Sequence, residues 1–589
     1  MSGVGVEPQQ QADAYKMKPT PQDPNDYIFG FEDIWVLVPQ RGGPHNWEDV
    51  GMRTILRSIE VLAAAPVTPS ADPARLIVHG HSRGGHGAWG LATRIPDRVL
   101  GVASACGWYS REEYGDANNV WVHETSLMHM DKLLQGLLHA SVAENVNSLH
   151  SSNLRGIPAL VRTASRDYTV QPYFSRRMAR HLREEGMNVT FQELDQEHWW
   201  WDSKVANDGG VMHDEAMRAW TTAVTQAGRA GVEKVLQTGD LVISASSPEY
   251  EGRFGLRILQ RVSPASRAFV KVRRSSRGIE LRTANVLRFL IAPSSPLSRA
   301  FDGTTTVDGA AVTLDVAQGV ELCLRGGSTD RVQAASNAAT CKASGDSGAC
   351  LGVQAGRQWH QCPTGLGAPP LSRGPALLGP IRRVFAAPWL VVVPDQPSQL
   401  EERLATYFAA GHHIAVDTAT QVLTFSEALA FRATHRFVWL GGAHRFPVAV
   451  RQPWPVNVFT AESISSLEQN KQDELWGSFS IGPCVFEEGH GLAFIAPAVS
   501  ETGTGLDSVS VNSSAAGNLL DLVVTATDAQ ALVDLVSFSF ATNQAHTRAP
   551  MSNMLPDFFV AGPQFRWKGS GGIVAAGYLD ADWGIAPYG

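Results

Sequence analysis

Arg75-Leu-Ile-Val-His-Gly80-His-Ser82-Arg-Gly84-Gly85-His-Gly87 is an apolar strand pattern that runs into a glycine-flanked serine and then into a helix-compatible segment. A serine between a strand and a helix presents its hydroxyl above a sheet only if the turn is very tight. Gly80 and Gly84 remove the side chains that would clash in such a turn, and the backbone N–H of Arg83 is left to face a reacting carbonyl. A G-x-S-x-G pentapeptide alone is also what a glycine-rich turn looks like; the strand before it and the helix after it make the stretch a nucleophile elbow.

Two partners follow in the order this elbow requires. Pro158-Ala-Leu-Val-Arg-Thr-Ala164 reads as a parallel strand, and Ser165-Arg-Asp167 comes directly after it, placing a carboxylate at a strand's carboxyl end. An amphipathic helix from about Gln171 to Glu185 is closed by Gly186, and Asn188-Val-Thr-Phe-Gln-Glu-Leu194 gives another strand. Asp195-Gln-Glu-His198 then puts a histidine in the loop beyond it. Ser, Asp, His is the α/β-hydrolase order of a nucleophile, an orienting acid and a base. Asp195 and Asp202 also lie close to His198, but the orienting carboxylate belongs on the preceding strand's loop, so both read as solvated loop charges.

These residues resemble the prolyl oligopeptidase-like serine hydrolases, an α/β-hydrolase group of peptidases and related esterases. The resemblance rests on Gly80-His-Ser82-Arg-Gly84-Gly85, on Ala164-Ser-Arg-Asp167-Tyr-Thr-Val170 and on Glu197-His198-Trp199, and covers roughly residues 1 to 225. It implies acyl transfer through Ser82, His198 and Asp167, and says less about peptide against ester. No cofactor or metal is expected.

In such a fold, strands precede the one that delivers the nucleophile, whereas only Ile34-Trp-Val-Leu-Val38 reads as a strand here. Ser2-Gly3-Val4-Gly5-Val6 looks like the back half of an oxyanion loop that normally follows a strand. The expectation is that the chain begins inside the active site, with Arg83 N–H and Gly3 or Val4 N–H as the oxyanion donors; the alternative is that Gly3 to Gly5 belong to a disordered terminus. His45, Asn46 and Trp47, then Trp108 and Tyr109 after the run Leu100–Ala105, and Trp199 after His198 are candidate substrate contacts, because loops at the carboxyl ends of parallel strands carry them; packing is the alternative for the aromatic ones.

At 589 residues the chain exceeds a single core, and three or so domains are expected. Hydrophobic residues make up 44% and charged ones 18%, a globular balance, and the net charge of -8 without a basic block argues against nucleic acid as a partner. No apolar run approaches the ~18 residues that cross a bilayer. The fold class expected is α/β: a hydrolase domain over residues 1–230, an antiparallel β module over 231–325 and a second small α/β domain over 376–589. The β module is read from runs such as Leu241–Ala245, Gly255–Leu259, Ala268–Val272 and Val286–Ile291 with turn-formers between them. The last domain is read from Trp389–Val393, a helix over Pro397–Ala410, Ile414–Asp417, Phe437–Leu440 and Leu519–Thr525. Asp417 and Asp528 at its strand ends read as loop caps, and Trp567-Lys-Gly569-Ser-Gly571-Gly572 as a glycine turn.

Between the last two domains, residues 326–375 form a Gly/Ser/Cys-rich linker with Cys341, Cys350 and Cys362, and Cys323 lies just before it. Their spacing suits no zinc site. Cys323–Cys362 with Cys341–Cys350 is one of three possible disulfide connectivities, and free thiols are the alternative. The sequons Asn188-Val-Thr190 and Asn512-Ser-Ser514 lean toward a secretory route. The function expected is a serine hydrolase acting on a peptide or amide bond. A carboxylic-ester hydrolase on the same residues is the alternative, and an inactive binding or scaffolding relative is the alternative of another class.

Overall fold

The computed structural model describes residues 1, 6–17, 28–40, 46–67, 69–110, 131–200, 209–238, 240–275, 278–293, 295–297, 304–312, 320–325, 358–361, 373, 377–416, 419–442, 445–446, 456–458, 478–481, 484–498, 500–501, 509–510, 519–539, 555–581 and 583–586. Gly3, Val4, Gly5, His45, Asp202, Cys341, Cys350, Cys362, Asp417 and the second sequon lie outside them, as does the side chain of Cys323.

The first domain is built on a four-stranded parallel sheet of β1 (Leu76–His81), β2 (Val99–Ala105), β3 (Ala159–Ala164) and β4 (Val189–Leu194), paired in that order. β2 and β3 are buried along their whole length, so neither alternates between apolar and polar: a parallel sheet covered on both faces has no polar side, and the one charge in them, Arg162 of β3, is paired with the buried Asp214. Helices α1 (Val50–Ala64), α2 (Arg83–Arg94) and α3 (Pro172–Glu184) bring Met52, Ile55, Trp89, Leu91, Phe174 and Met178 into one core with the sheet. From α4 (Glu215–Ala227), Met217 and Trp220 pack on Ala103 and Leu160 in a separate cluster. Pro172 opens α3, where its missing N–H costs nothing, and Gly186 just beyond its end takes φ +75, a left-handed value that glycine adopts without strain.

The expected strand Ile34–Val38 does not enter this sheet. It makes one isolated bridge, between Phe31 and Ile34, and alternate side chains face outward: Trp35 is 47% exposed and its indole donates to Pro69 O at 2.9 Å. An apolar run shows that a segment suits extended backbone, not which strand it meets. The backbone of Met1 instead bridges the edge of β1 in the parallel manner, its N donating to His79 O at 2.7 Å and its O accepting from His81 N at 3.4 Å.

Among its described residues the β module holds two sheets. The first has the order β11 (Ala310–Val312), β10 (Thr304–Val307), β8 (Gly278–Ala284), β7 (Ala268–Ser275), β5 (Asp240–Ala245), and the second the order β13 (Gln358–Gln361), β12 (Val320–Arg325), β9 (Val286–Ile291), β6 (Leu256–Arg261). All pairs are antiparallel except β8 with β10. β13 falls inside the stretch read as a linker, and Arg373 from the same stretch is buried in an ion pair with Asp557 at 2.7 Å, so parts of that stretch are structural.

Among the described residues the last domain is built on a seven-stranded mixed sheet. β15 (Val422–Thr424), β14 (Trp389–Val393), β16 (Arg436–Leu440) and β18 (Leu520–Ala526) are parallel, and β17 (Gly491–Pro497), β19 (Phe558–Ala561) and β20 (Ile573–Gly577) extend it antiparallel. Asp528 caps as expected, its carboxylate accepting from Ala531 N at 2.8 Å and Gly489 N at 2.6 Å. This domain is clamped to the other two through buried charges: Arg382 pairs with Asp49 at 3.0 Å and with Glu144 of the first domain, and Arg383 pairs with Glu144 at 2.6 Å and with Glu249 of the β module. Among the described residues no helix is long and apolar enough to cross a membrane.

Candidate functional site

Ser82 sits between β1 and α2 at φ 56, ψ -120, a strained left-handed setting that non-glycine residues adopt only when the surrounding structure enforces it. Enforcement comes from close backbone approach. A Cβ on Gly80 would lie 1.8 Å from Gly84 O, and one on Gly85 would lie 2.8 Å from Ser104 Oγ. Ser82 N donates to Ala105 O at 2.9 Å, tying the turn to the carboxyl end of β2. Arg83 is the first residue of α2, the position that supplies an oxyanion donor in an elbow of this kind.

His198, 116 residues further along the chain, places Nε2 3.0 Å from Ser82 Oγ, and its Nδ1 lies 2.8 Å from Asp167 Oδ2. A carboxylate only accepts, so Nδ1 carries the proton and Nε2 is left as the acceptor of the Ser82 hydroxyl. Asp167 is fixed in turn: its Oδ1 accepts the backbone N–H groups of Thr169 at 2.9 Å and Val170 at 2.8 Å, and its side chain is fully buried. Asp195 points elsewhere. It is 85% exposed and pairs with Arg166 at 2.9 Å.

Two residues that the sequence reading passed over adjoin this cluster. His81 lies immediately before the serine, and its Nε2 donates to His198 O at 2.7 Å, holding the histidine loop against β1. Its ring meets that of His198 at 4.8 Å and the edge of Trp199 at 4.3 Å between centroids. Burial, with His198 beside it, pulls the His81 pKa down to about 3, so it is neutral across the working range. Cys106 follows β2 at φ 48, wholly buried, and its thiol is pushed well above the ordinary value by burial and by the Asp167 carboxylate to which it hydrogen-bonds. Its place at the carboxyl end of a parallel strand was the available signal.

The candidate substrate contacts divide by burial. Asn46, Trp47, Trp108 and Tyr109 are all buried in the domain core. Trp47 covers α2 so closely that a Cβ on Gly87 would meet its own Cβ at 2.5 Å, and Trp108 stacks on His86 at 5.0 Å. His86 pairs with the buried Glu48 at 3.0 Å, so behind the elbow stands a second His–carboxylate pair that holds α2 in place. Trp199 is half-buried beside His81.

Residues 40–221 match the prolyl oligopeptidase family. The chain is 25% identical over 293 residues to an uncharacterized secreted protein of Arthroderma benhamiae, a match that covers 47% of this chain and 30% of that protein. The chain therefore spans less than a third of the relative's length. Among solved structures, a putative dipeptidyl aminopeptidase IV of Bacteroides ovatus is similar at 15% identity and a TM-score of 0.23, over 31% of this chain and 23% of that one. An acylaminoacyl peptidase of Pyrococcus horikoshii is similar at 16% identity and a TM-score of 0.23, over 31% and 28%. An S-formylglutathione hydrolase of Agrobacterium tumefaciens is similar at 15% identity and a TM-score of 0.17, over 22% and 45%.

Proposed function

We propose that this chain, with its prolyl oligopeptidase-like domain, is a serine hydrolase that cleaves a peptide or amide bond through an acyl-enzyme on Ser82. The observation that carries the reading is the Ser82–His198–Asp167 relay, with contacts of 3.0 and 2.8 Å and the base in the tautomer that accepts a proton. Ser82 Oγ attacks the acyl carbonyl while His198 Nε2 takes its proton, which then passes to the leaving group. A water repeats the sequence to release the acid. Asp167 holds the imidazole in place and stabilises the imidazolium. Arg83 N–H, with Gly3 or Val4 N–H as second donor, holds the oxyanion; one such donor is worth about 3 kcal/mol. Trp199, half-buried beside the relay, is the aromatic side chain proposed to touch substrate, while Asn46, Trp47, Trp108 and Tyr109 shape the site from behind. A secretory route is proposed for the compartment, supported by the exposed sequon residue Asn188.

A fluorophosphonate probe tests the reading. The expected result is a single covalent adduct at Ser82, located by peptide mass spectrometry and absent in S82A. A folded protein that takes no label at Ser82 is not a serine hydrolase, and a binding role would then replace this one. Turnover of a prolyl amide against a p-nitrophenyl ester separates peptidase from esterase.

A further inference from the structure

We propose that His81, Cys106 and His198 form a reversible site for a borderline or soft divalent cation, Zn2+ above all, and that its occupation silences the hydrolase. The silencing rests on the reading of His198 as general base; the binding does not.

One potential ligand atom from each of the three side chains lies within 4.8 Å of the others. Two imidazoles and a thiolate are a donor set that zinc, cobalt and copper accept. His81 is already set for the task. Its Nε2–H is committed to His198 O at 2.7 Å, so the neutral ring carries a bare lone pair at Nδ1. That nitrogen is buried without a hydrogen-bond partner in a residue only 2% exposed. A buried acceptor left unmet costs free energy, and protonation offers no relief because burial holds this imidazole neutral. A cation at Nδ1 removes the deficit.

Cys106 completes the set from the end of β2. Its proton is held tightly in the metal-free protein, but coordination deprotonates a thiol outright. The step is a simple exchange: the cation gains a sulfur ligand, one proton leaves to solvent, and no electrons move. Charge also balances. The Cys106 thiolate and the Asp167 carboxylate beside it supply two negative charges against the dication, which removes the main obstacle to a buried ion. His198, 21% exposed, gives the route in from solvent. The nitrogen that His198 gives to a metal is one it otherwise offers to Ser82 or to Asp167, so a bound cation withdraws the base from the reaction.

Metal-free full-length protein titrated with Co2+ tests this without relying on turnover. The expected result is one equivalent bound, with a near-ultraviolet thiolate-to-cobalt charge-transfer band that S82A keeps and C106S loses. H81Q should weaken Co2+ and Zn2+ binding about tenfold or more. Zn2+ should slow fluorophosphonate labelling of Ser82, with more Zn2+ needed in H81Q. Circular dichroism and melting of each variant show that it is folded. No band at saturating Co2+, a band that survives in C106S, or wild-type affinity in H81Q overturns the proposal. Metal-free protein that never labels at Ser82 defeats the hydrolase reading instead, and the cobalt band still decides the site.

Discussion

The substitution Asp167→Asn keeps the shape of the side chain and exchanges one acceptor for a donor. Asp167 Oδ1 accepts from Thr169 N and Val170 N at 2.9 and 2.8 Å, and Oδ2 accepts from His198 Nδ1 at 2.8 Å. The amide of the variant would have one oxygen for these two sides. With the oxygen toward the backbone, its NH2 faces Nδ1, and the imidazole must move its proton to Nε2. With the amide flipped, two backbone N–H groups lose their acceptor at about 1–3 kcal/mol each, against a single hydrogen bond of about 1 kcal/mol kept at Nδ1. The first arrangement wins. Nε2–H then donates to Ser82 Oγ and no longer takes its proton. The expected result for D167N is a native melting profile and a kcat lower by about 10⁴, which is about 5.4 kcal/mol of barrier at 1.36 kcal/mol per decade. Steady-state turnover of an activated ester, with KM and kcat resolved, checks it; the loss should fall on kcat. A D167N protein within tenfold of the wild type refutes the tautomer argument, and a 10⁴ loss in D195N would move the role to Asp195.

G80A should destroy the elbow, because its Cβ would sit 1.8 Å from the carbonyl oxygen of Gly84, a backbone atom that cannot swing aside; a G80A protein labelled at Ser82 as fast as the wild type would contradict this. Stability should fall on mild acidification: His79 and His81 are held at about 3 and His412 at about 4, each first by burial, against an ordinary 6.5. The folded state thus binds fewer protons than the unfolded one below 6.5, and each histidine's share of stability, complete above 6.5, has dropped by about 2 kcal/mol at pH 5; equal denaturant midpoints at pH 7 and 5 would count against it. R382M should leave Asp49 and Glu144 short of a buried partner and cost about 3–5 kcal/mol in urea unfolding, unless Arg383 alone suffices for Glu144.

The hydrolase elements were readable because each announces itself locally. The turn at Ser82 needs a glycine at Gly80, Asp167 directly follows a buried strand, and His198 follows the next one, so strand ends and chain order carry the information. His81 and Cys106 could not be placed in the same way. What makes His81 an idle acceptor is its bond to His198 O, 117 residues away, and Cys106 matters because Asp167 lies beside it across the sheet. The last domain shows the same limit at the level of strands. β17 and β18 are buried along their whole length, and a strand buried on both faces shows no alternation, whichever way its neighbour runs; only Asp521, paired with Arg432, interrupts the apolar residues of β18 near its start. The sequence therefore supports an α/β sheet there, while the antiparallel β17, β19 and β20 appear only in the register. Ile34–Val38 fails for the converse reason: its residues suit a strand, and pairing is a property of two segments, so no reading of one segment supplies the other.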